Sequence, residues 1–323
     1  MAQSQFVSHC TADALARAAR ALKEGHLIAF PTETVYGLGA DANNQSAVSR
    51  IYNVKGRPED HPLIVHIADW QLMGEWSEQI PDFAIALARA FWPGPMTLIL
   101  KRSELAKDFI TGGQETVGIR VPNQTLALQL LNEFSKIGGK GVAAPSANRF
   151  GQVSPTSAQA VQDEIGALLD QEDVILDGGP CEVGVESTII DCTSSHPKIL
   201  RPGAITPLDI KGVTGLEVEI VENSAIRVSG SLENHYAPKA EVVLDITPVL
   251  GDGFIALAEI KTPPGVIRLA EPSSPEAFAH DLYAALRDGD TKVLKRIVVA
   301  QPPGDGISIA IRDRLKRAAA KTK

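Results

Sequence analysis

Residues 27–37 of this chain read LIAFPTETVYG, and they indicate the fold class. The first four are wholly apolar and stop at a proline, as expected of a strand buried on both faces of an α/β sheet. The next residues place hydroxyls on Thr32 and Thr34 and a carboxylate on Glu33. Ligand sites often follow such strands, although a polar loop that only caps a following element fits the same residues.

Apolar runs and amphipathic segments alternate along the whole chain. The predicted strands are 27–30, 63–67, 96–100, 116–121, 142–144, 174–176, 187–191, 199–200, 241–246, 253–260, 265–269 and 297–300. The predicted helices are 13–24, 45–53, 82–91, 126–134, 158–169, 276–287 and 308–320. The pattern predicts an α/β (α+β) fold with mixed strand directions.

The chain divides into three parts by pattern. Residues 1–205 carry most of the alternation and are expected to form the larger domain. Residues 206–240 are less periodic and rich in Gly, Ser and Asn, which is typical of an interdomain linker. Residues 241–323 return to alternation and predict a small αβ domain.

Composition narrows the classes of function. With 44% hydrophobic and 22% charged residues, the 323-residue chain is expected to fold into one large or two unequal globular domains. A net charge of −8 argues against nonspecific coating of nucleic acid. The three cysteines, in no CxxC spacing, fit reduced thiols. Without a signal-like N-terminus or a long apolar run, the chain is expected to be cytoplasmic and unanchored.

One apparent motif is misleading. Residues 37–42 read GLGADA, a loose match to the dinucleotide-binding G-x-G-x-x-A. That fingerprint needs its first glycine directly after the strand, whereas six residues separate Phe30 from Gly37. No Walker-type phosphate loop, G-x-S-x-G elbow, HExxH or cysteine ligand set occurs, so the sequence predicts no metal site built by the protein.

Three further groups of polar residues are candidates for a site, and each has an ordinary structural explanation. Lys55 and Arg57 can converge on a polyphosphate, although two exposed cations in a loop look the same. His66 lies within an apolar strand and fits a core histidine as well as a ligand. Ser146 and Asn148 follow a strand, where an everyday polar turn would also place them.

Seven segments, taken in order, outweigh these separate explanations. They are FPTETVYGLG (30–39), KGRPEDHPLIVHI (55–67), WPGPMT (92–97), TVGIRVP (116–122), AAPSAN (143–148), GVESTI (184–189) and LRPG (200–203). The series resembles the YrdC-like family, and with HYAP at 235–238 it is similar to the long, two-domain form of threonylcarbamoyl-AMP synthases. The resemblance implies a YrdC-like twisted mixed sheet flanked by helices, followed by a small Rossmann-like αβ domain.

The resemblance also implies a reaction. A nucleotidyltransferase of this kind makes L-threonylcarbamoyl-adenylate and pyrophosphate from L-threonine, bicarbonate and ATP, with Mg²⁺ accompanying the ATP. The product supplies the t6A modification at position 37 of tRNAs that read codons starting with A, after transfer by a separate complex. We therefore expect neither a membrane partner nor tight direct binding of tRNA.

Roles carry over position by position from the resemblance. The tetrad implied for catalysis and the triphosphate comprises Lys55, Arg57, Ser146 and Asn148. The positions implied around threonine are Thr32, His66, Arg120 and Ser187. Further nucleotide-side positions are Thr116, Ser154, Arg201 and Tyr236. The residues lining the site offer few carboxylates for a dedicated Mg²⁺ cage.

The sequence departs from the family pattern at two places, and two other functions are compatible with it. His61 stands where many members have Asn, and SGSLEN (229–234) replaces the usual residues before HYAP. We expect Tyr236, in a Gly/Ser-rich linker, to close over the bound nucleotide. The alternatives are a YrdC-type RNA-binding module without catalysis and carbamoyl-adenylate chemistry on another substrate, as in hydrogenase-maturation proteins, whose zinc-finger-like cysteines this chain lacks.

Overall fold

Two sheets organise the chain. The computed structural model describes residues 5–7, 10–221, 224–230 and 235–320, so residues 222–223 and 231–234 of the predicted linker lie outside the described residues. The strands of the first sheet are β1 (Gln5–Val7), β2 (Ile28–Phe30), β3 (Gly37–Asp41), β4 (Ile64–His66), β5 (Ser77–Glu78), β6 (Met96–Arg102), β7 (Thr116–Arg120), β8 (Val142–Ala143), β9 (Val174–Leu176), β10 (Thr188–Asp191), β11 (Lys198–Arg201) and β12 (Glu219–Ile220). Those of the second are β13 (Glu241–Leu244), β14 (Gly253–Ile255), β15 (Ile267–Ala270) and β16 (Arg296–Val299).

The first sheet mixes parallel and antiparallel pairs, as predicted. Its order is β1-β9-β2-β3-β8-β4-β7-β6-β10-β11-β12, and β5 pairs with β6. β2 and β3 form an antiparallel hairpin, so the polar residues 31–36 become its connecting loop. β4 and β7 are parallel, with His66 and Arg120 as register partners. The sheet therefore brings three of the quoted segments together.

The helices begin and end at residues suited to those positions. They are α1 (Ala12–Glu24), α2 (Gln45–Lys55), α3 (Met73–Trp76), α4 (Asp82–Phe91), α5 (Asp108–Thr111), α6 (Thr125–Lys136), α7 (Ala158–Ile165), α8 (Pro207–Thr214), α9 (Pro275–Thr291) and α10 (Ile307–Ala318). For example, the Thr11 hydroxyl accepts a hydrogen bond from the Ala14 N–H at the start of α1, and Gly25 ends that helix at φ +95°. Among the described residues, no helix has the length and apolar character needed to cross a bilayer.

The second sheet is wholly parallel in the order β13-β16-β14-β15. Helices α9 and α10 pack against each other, and their buried residues join those of the sheet in one apolar core. Tyr236 from the connecting segment belongs to this same core. The segment is thus attached to the C-terminal unit by burial.

Several elements were not predicted from the sequence, among them β3, α8 and β12. Residues 37–41, the loose dinucleotide motif, form β3 in the middle of the sheet. A side chain at Gly39 would lie 2.6 Å from Val142 Cγ1 and 2.8 Å from Phe30 Cε1, so close packing explains this glycine. Residues 207–220, predicted as part of the linker, include α8 and β12, and β12 extends the first sheet.

Gly39→Ala is expected to lower the free energy of unfolding by about 1–3 kcal/mol, because the added methyl overpacks the sheet core. Gly37→Ala, two residues earlier in the same strand, is the matched control, since its Cβ would meet Ala144 Cβ at an ordinary 3.4 Å. Urea denaturation of the two variants measures the difference. Equal losses at the two positions would show that crowding at Gly39 is not the cause.

Candidate active site

A cleft lies between the first sheet, the β2–β3 loop and the linker. Its lining residues are Thr32, Thr34, Val35, Gly37, Arg57, Ile64, His66, Arg120, Ala144, Pro145, Ser146, Glu186, Ser187, Arg201, Ser229, Gly230, His235 and Tyr236. Segments that are distant in sequence therefore meet around one cavity.

Eight of the twelve predicted site residues line this cleft: Thr32, Arg57, His66, Arg120, Ser146, Ser187, Arg201 and Tyr236. Four others do not line it. Lys55 and Asn148 lie behind the Ser146 turn, and Ser154 contacts Glu186. Thr116 lines a small neighbouring cavity, together with Gln114 and Arg227.

Lys55 braces the turn that follows β8. Its ammonium donates hydrogen bonds to the carbonyl oxygens of Ser146, at 2.6 Å, and Asn148. The Asn148 amide donates in turn to the carbonyl oxygens of Arg149 and Gln152. Burial and the neighbouring Arg57 lower the pKa of Lys55 well below its usual value. Lys55 thus fixes the position at which Ser146 meets the cleft.

Two arginines of the cleft contact the linker. Arg57 donates to the Pro62 carbonyl at 3.0 Å and to the Ser229 hydroxyl at 3.3 Å. Arg201 donates to the Ser229 carbonyl at 2.8 Å and, through Nε and Nη2, to the Ser187 carbonyl. Burial lowers the pKa of Arg57 to about 10 and also lowers the pKa of Arg201. Arginine side chains stay protonated at neutral pH. Their bonds to neutral oxygens leave the charge available to an anion.

Arg120 lines the part of the cleft beside the β2–β3 loop, which we call the Arg120 end. Its guanidinium lies 2.7 Å from the Glu33 carboxylate, donates to the Thr34 hydroxyl at 2.9 Å and reaches the Gly94 carbonyl at 3.3 Å. The Thr32 hydroxyl donates to the Val35 carbonyl at 2.6 Å, which shapes the β2–β3 loop. This end presents a guanidinium beside hydroxyls, a combination suited to an amino-acid carboxylate.

Two histidines of the cleft are neutral. Burial, with a smaller effect from Arg120, lowers the pKa of His66 to about 3. Burial also lowers the pKa of His235 to about 3, and its ring packs edge-on against Tyr236 at 4.1 Å. Both rings therefore act at neutral pH as uncharged hydrogen-bonding groups.

Tyr236 adopts a left-handed backbone conformation, at φ +65°, that non-glycine residues seldom take. Its ring stacks on Tyr283 with centroids 5.7 Å apart, and the following Ala237 N–H donates to the Gly151 carbonyl at 3.1 Å. Gly230 lies so close that a Cβ there would be 2.1 Å from the Tyr236 hydroxyl oxygen. The described residues of the linker are therefore held by Tyr283, by Gly151 and by the contact between Gly230 and Tyr236.

Several buried polar atoms at the site have no hydrogen-bond partner among the described residues. They are Arg57 Nε, His66 Nδ1, Asn148 Oδ1, His235 Nδ1 and Tyr236 Oη. Buried polar groups are normally paired, so such a concentration in one place indicates a site that takes a polar ligand.

The cleft offers little to hold a divalent cation directly. Glu186 is the carboxylate that lines its described part. One of its oxygens accepts from Ser154 at 2.7 Å, and the other accepts from Tyr283 and Arg314. The donors present therefore fit a metal ion whose ligands come mainly from a bound polyphosphate.

Comparison with known families accounts for both units of the chain. Residues 20–203 match the Sua5_yciO_yrdC family, described as telomere recombination. The chain belongs to this family. Residues 205–320 match the Sua5_C family, described as threonylcarbamoyl-AMP synthase, C-terminal domain. The predicted resemblance is confirmed.

Relatives extend the family match over most of the chain. The protein is 38% identical to a threonylcarbamoyl-AMP synthase of Pyrococcus abyssi, over 93% of this chain and 92% of that one. It is 37% identical to the Bacillus subtilis protein of the same name, over 94% and 92%. The crystal structure of P. abyssi Sua5 complexed with L-threonine superposes with a TM-score of 0.87, at 36% identity, covering 98% of this chain and 97% of that one. These matches confirm the predicted α/β fold, and the names of the relatives mark this family member as an enzyme.

Sequence reasoning assigned no role to several residues that shape the cleft of this Sua5-family protein. Glu33 and Thr34 hold Arg120, Glu186 lines the cavity, and Ser229 contacts two arginines. Glu33 and Glu186 stand inside the quoted motifs, and a carboxylate within a buried segment was the available signal. Ser229 carried no signal beyond its position in the linker.

Glu33→Gln is expected to lower the free energy of unfolding by about 3 kcal/mol, because it leaves the buried Arg120 charge uncompensated. Glu115→Gln is the control: its carboxylate is 81% exposed beside Arg102, and its loss is expected to stay below about 1 kcal/mol. Urea denaturation at neutral pH gives both values. A loss at Glu33 no larger than that at Glu115 would contradict a stabilising role for the buried pair.

Proposed function

We propose that this protein is a nucleotidyltransferase that makes L-threonylcarbamoyl-adenylate from L-threonine, bicarbonate and ATP, with release of pyrophosphate. The observation that carries the proposal is that one cleft contains three arginines. Arg120 lies beside hydroxyl groups, which suits an amino-acid carboxylate, and Arg57 and Arg201 are suited to a phosphate anion. The names of the relatives and the L-threonine bound to P. abyssi Sua5 support the same substrate.

Threonine is assigned to the Arg120 end. The guanidinium of Arg120 pairs with its carboxylate, while Thr32, Ser187 and neutral His66 offer hydrogen bonds to its amine and hydroxyl. Ser187 is held in place because its hydroxyl lies 2.8 Å from the Thr97 hydroxyl. The amine is thereby directed toward the middle of the cleft.

The nucleotide is assigned to the Arg57 and Arg201 end. The triphosphate replaces Ser229 as the partner of both arginines, and Ser146 adds a hydroxyl. Lys55 and Asn148 act by holding the Ser146 turn, with Asn148 Oδ1 still open to a donor. Thr116, Ser154 and Tyr236 complete the proposed nucleotide set. Mg²⁺, when bound to the phosphate oxygens, neutralises charge there, and these side chains orient the same oxygens.

The proposed reaction depends mainly on how the protein positions its substrates. The amine of threonine and bicarbonate form a carbamate and water, and a carbamate oxygen attacks the α-phosphorus of ATP. The bond between the α-phosphorus and its bridging oxygen breaks, and pyrophosphate leaves. Fixed cations stabilise the charge that develops on the phosphate oxygens, so no covalent enzyme intermediate is required.

In this proposal the protein works in the cytoplasm and serves tRNA through a small product. A net charge of −8 disfavours a direct grip on tRNA, and a separate transfer complex uses the adenylate to form t6A at position 37. Residues 1–205 are proposed as the catalytic domain, 206–240 as a linker that closes over it, and 241–323 as the small domain that anchors the linker.

Purified protein incubated with ATP, Mg²⁺ and bicarbonate is expected to release pyrophosphate only when L-threonine is added. Arg57→Ala and Lys55→Ala are each expected to abolish this release, whereas Lys101→Ala, a surface lysine bonded to Gln79, is expected to leave it intact. Release that ignores threonine would rule out the proposed reaction.

Tyr236→Ala is expected to shorten the lifetime of the bound adenylate and slow its synthesis, because the ring excludes water from a hydrolysable product. Tyr236→Phe keeps the ring that stacks on Tyr283 and is expected to retain most of the activity. A filter assay of retained radiolabelled product compares the two variants. An unchanged rate and lifetime in Tyr236→Ala would show that Tyr236 is no lid.

A further inference from the structure

The C-terminal unit reaches the wall of the cleft. The segment before β10 carries Gly184 at φ +81°, and a Cβ there would lie 2.4 Å from the Ala279 carbonyl oxygen and 2.5 Å from His280 Cα, both in α9. The backbone of the first unit thus packs directly on a helix of the second. Two residues later the same segment presents Glu186 to the cleft.

Two C-terminal side chains hold the Glu186 carboxylate. Tyr283 of α9 donates to Oε2 at 3.0 Å, and Arg314 of α10 donates to the same oxygen at 2.8 Å. Arg314 also reaches the Glu186 carbonyl oxygen at 3.4 Å, so its guanidinium spans side chain and backbone. The Arg314 side chain is fully buried, and Asp313 accepts a further bond from it at 2.7 Å.

The linker joins the same group of residues. The Arg314 guanidinium lies 5.5 Å from the centre of the Tyr236 ring, and Tyr236 stacks on Tyr283. We call Glu186, Tyr236, Tyr283 and Arg314 the interdomain cluster. Its members come from the first unit, the linker and the C-terminal unit, and two of them line the cleft.

The charge of this cluster matters for an anionic ligand. Glu186 shares the cleft with Arg57 and Arg201, which are the proposed partners of the triphosphate. A buried carboxylate without a counter-ion repels a polyphosphate at short range, because a protein interior screens charge poorly. Although burial alone raises a carboxyl pKa, Arg314 and Arg201 hold the pKa of Glu186 at about 2. Glu186 is therefore charged whenever a nucleotide binds.

We infer that Arg314 is a positioning residue for the nucleotide end of the cleft: it binds the Glu186 carboxylate and neutralises it, so that Glu186 does not compete with phosphate for Arg57 and Arg201. The C-terminal unit thereby contributes a residue to the proposed reaction. The inference rests on the proposed function for the identity of the nucleotide. It does not extend to threonine, whose proposed partner is Arg120.

The test measures binding by calorimetry, with a non-hydrolysable ATP analogue plus Mg²⁺ and, separately, with L-threonine. Arg314→Met is expected to weaken binding of the ATP analogue by about tenfold, as one uncompensated charge near an anion does. Its affinity for threonine is expected to change by less than about twofold. Arg312→Met is the control on the same helix, since Arg312 binds the Pro302 and Gly304 carbonyls of its own domain.

The partner substitution separates neutralisation from general support of the fold. Glu186→Gln removes the negative charge, so binding of the ATP analogue is expected to stay equal or become tighter. The double variant Glu186→Gln/Arg314→Met is expected to recover nucleotide affinity to within about threefold of the wild type. If Arg314→Met does not fold, the double variant still tests the inference, because it buries no unpaired charge.

Three outcomes would overturn the inference. Equal weakening by Glu186→Gln and Arg314→Met would show that the pair is only structural. A double variant as weak as Arg314→Met would show that charge at Glu186 is not the cause, and a parallel loss of threonine binding would show a general distortion. If the wild-type protein binds the ATP analogue but releases no threonine-dependent pyrophosphate, the proposed function is refuted. The binding measurements on the Glu186 and Arg314 variants can still be interpreted in that case.

Discussion

The burial of four cations around one cleft is the constraint on which this structure depends. Lys55, Arg57, Arg120 and Arg201 each have at most 6% of their surface exposed. Removing a charge from water costs several kcal/mol unless other dipoles replace the water. Here main-chain carbonyl oxygens do so for all four, and Arg120 adds a carboxylate. The loops around the cleft must therefore direct their carbonyl oxygens toward these cations. This requirement accounts for the polar segments that follow the strands.

This arrangement has a chemical use. Carbonyl groups hold a cation without cancelling its charge, so the guanidiniums face the cleft in fixed positions before any ligand arrives. Pre-set charge of this kind stabilises an anionic transition state without further reorganisation. Burial keeps His66 and His235 neutral, so they add no competing charge. The ion pair with Glu33 offsets the charge of Arg120, whereas Arg57 and Arg201 are held by neutral oxygens.

The sequence predicted what depends on neighbouring residues and missed what depends on distant ones. Buried strands such as β2 and β6 were found because apolar runs reveal them. β3 was missed because glycine has a low strand propensity. Gly39 is there because the close packing of Val142 and Phe30 leaves no room for a side chain. The ion pair of Glu186 with Arg314 spans 128 positions, and no local pattern encodes it. The seven ordered motifs nevertheless identified the family correctly, because a series of segments in a fixed order reflects contacts between residues that are distant in the sequence. They also placed eight of twelve expected residues on the cleft.

Ser229 has a further consequence. Its hydroxyl accepts a hydrogen bond from Arg57 and its carbonyl oxygen accepts one from Arg201, so the linker gives both guanidiniums neutral partners. For the proposed nucleotide, the binding free energy would then be the difference between two sets of hydrogen bonds, which is smaller than the new contacts alone suggest. In the proposed reaction, the same exchange would run in reverse when pyrophosphate departs, because the linker offers the arginines new partners at once. In the proposed reaction, a neutral partner supplied by the chain itself would thus favour release of the product over its tight retention.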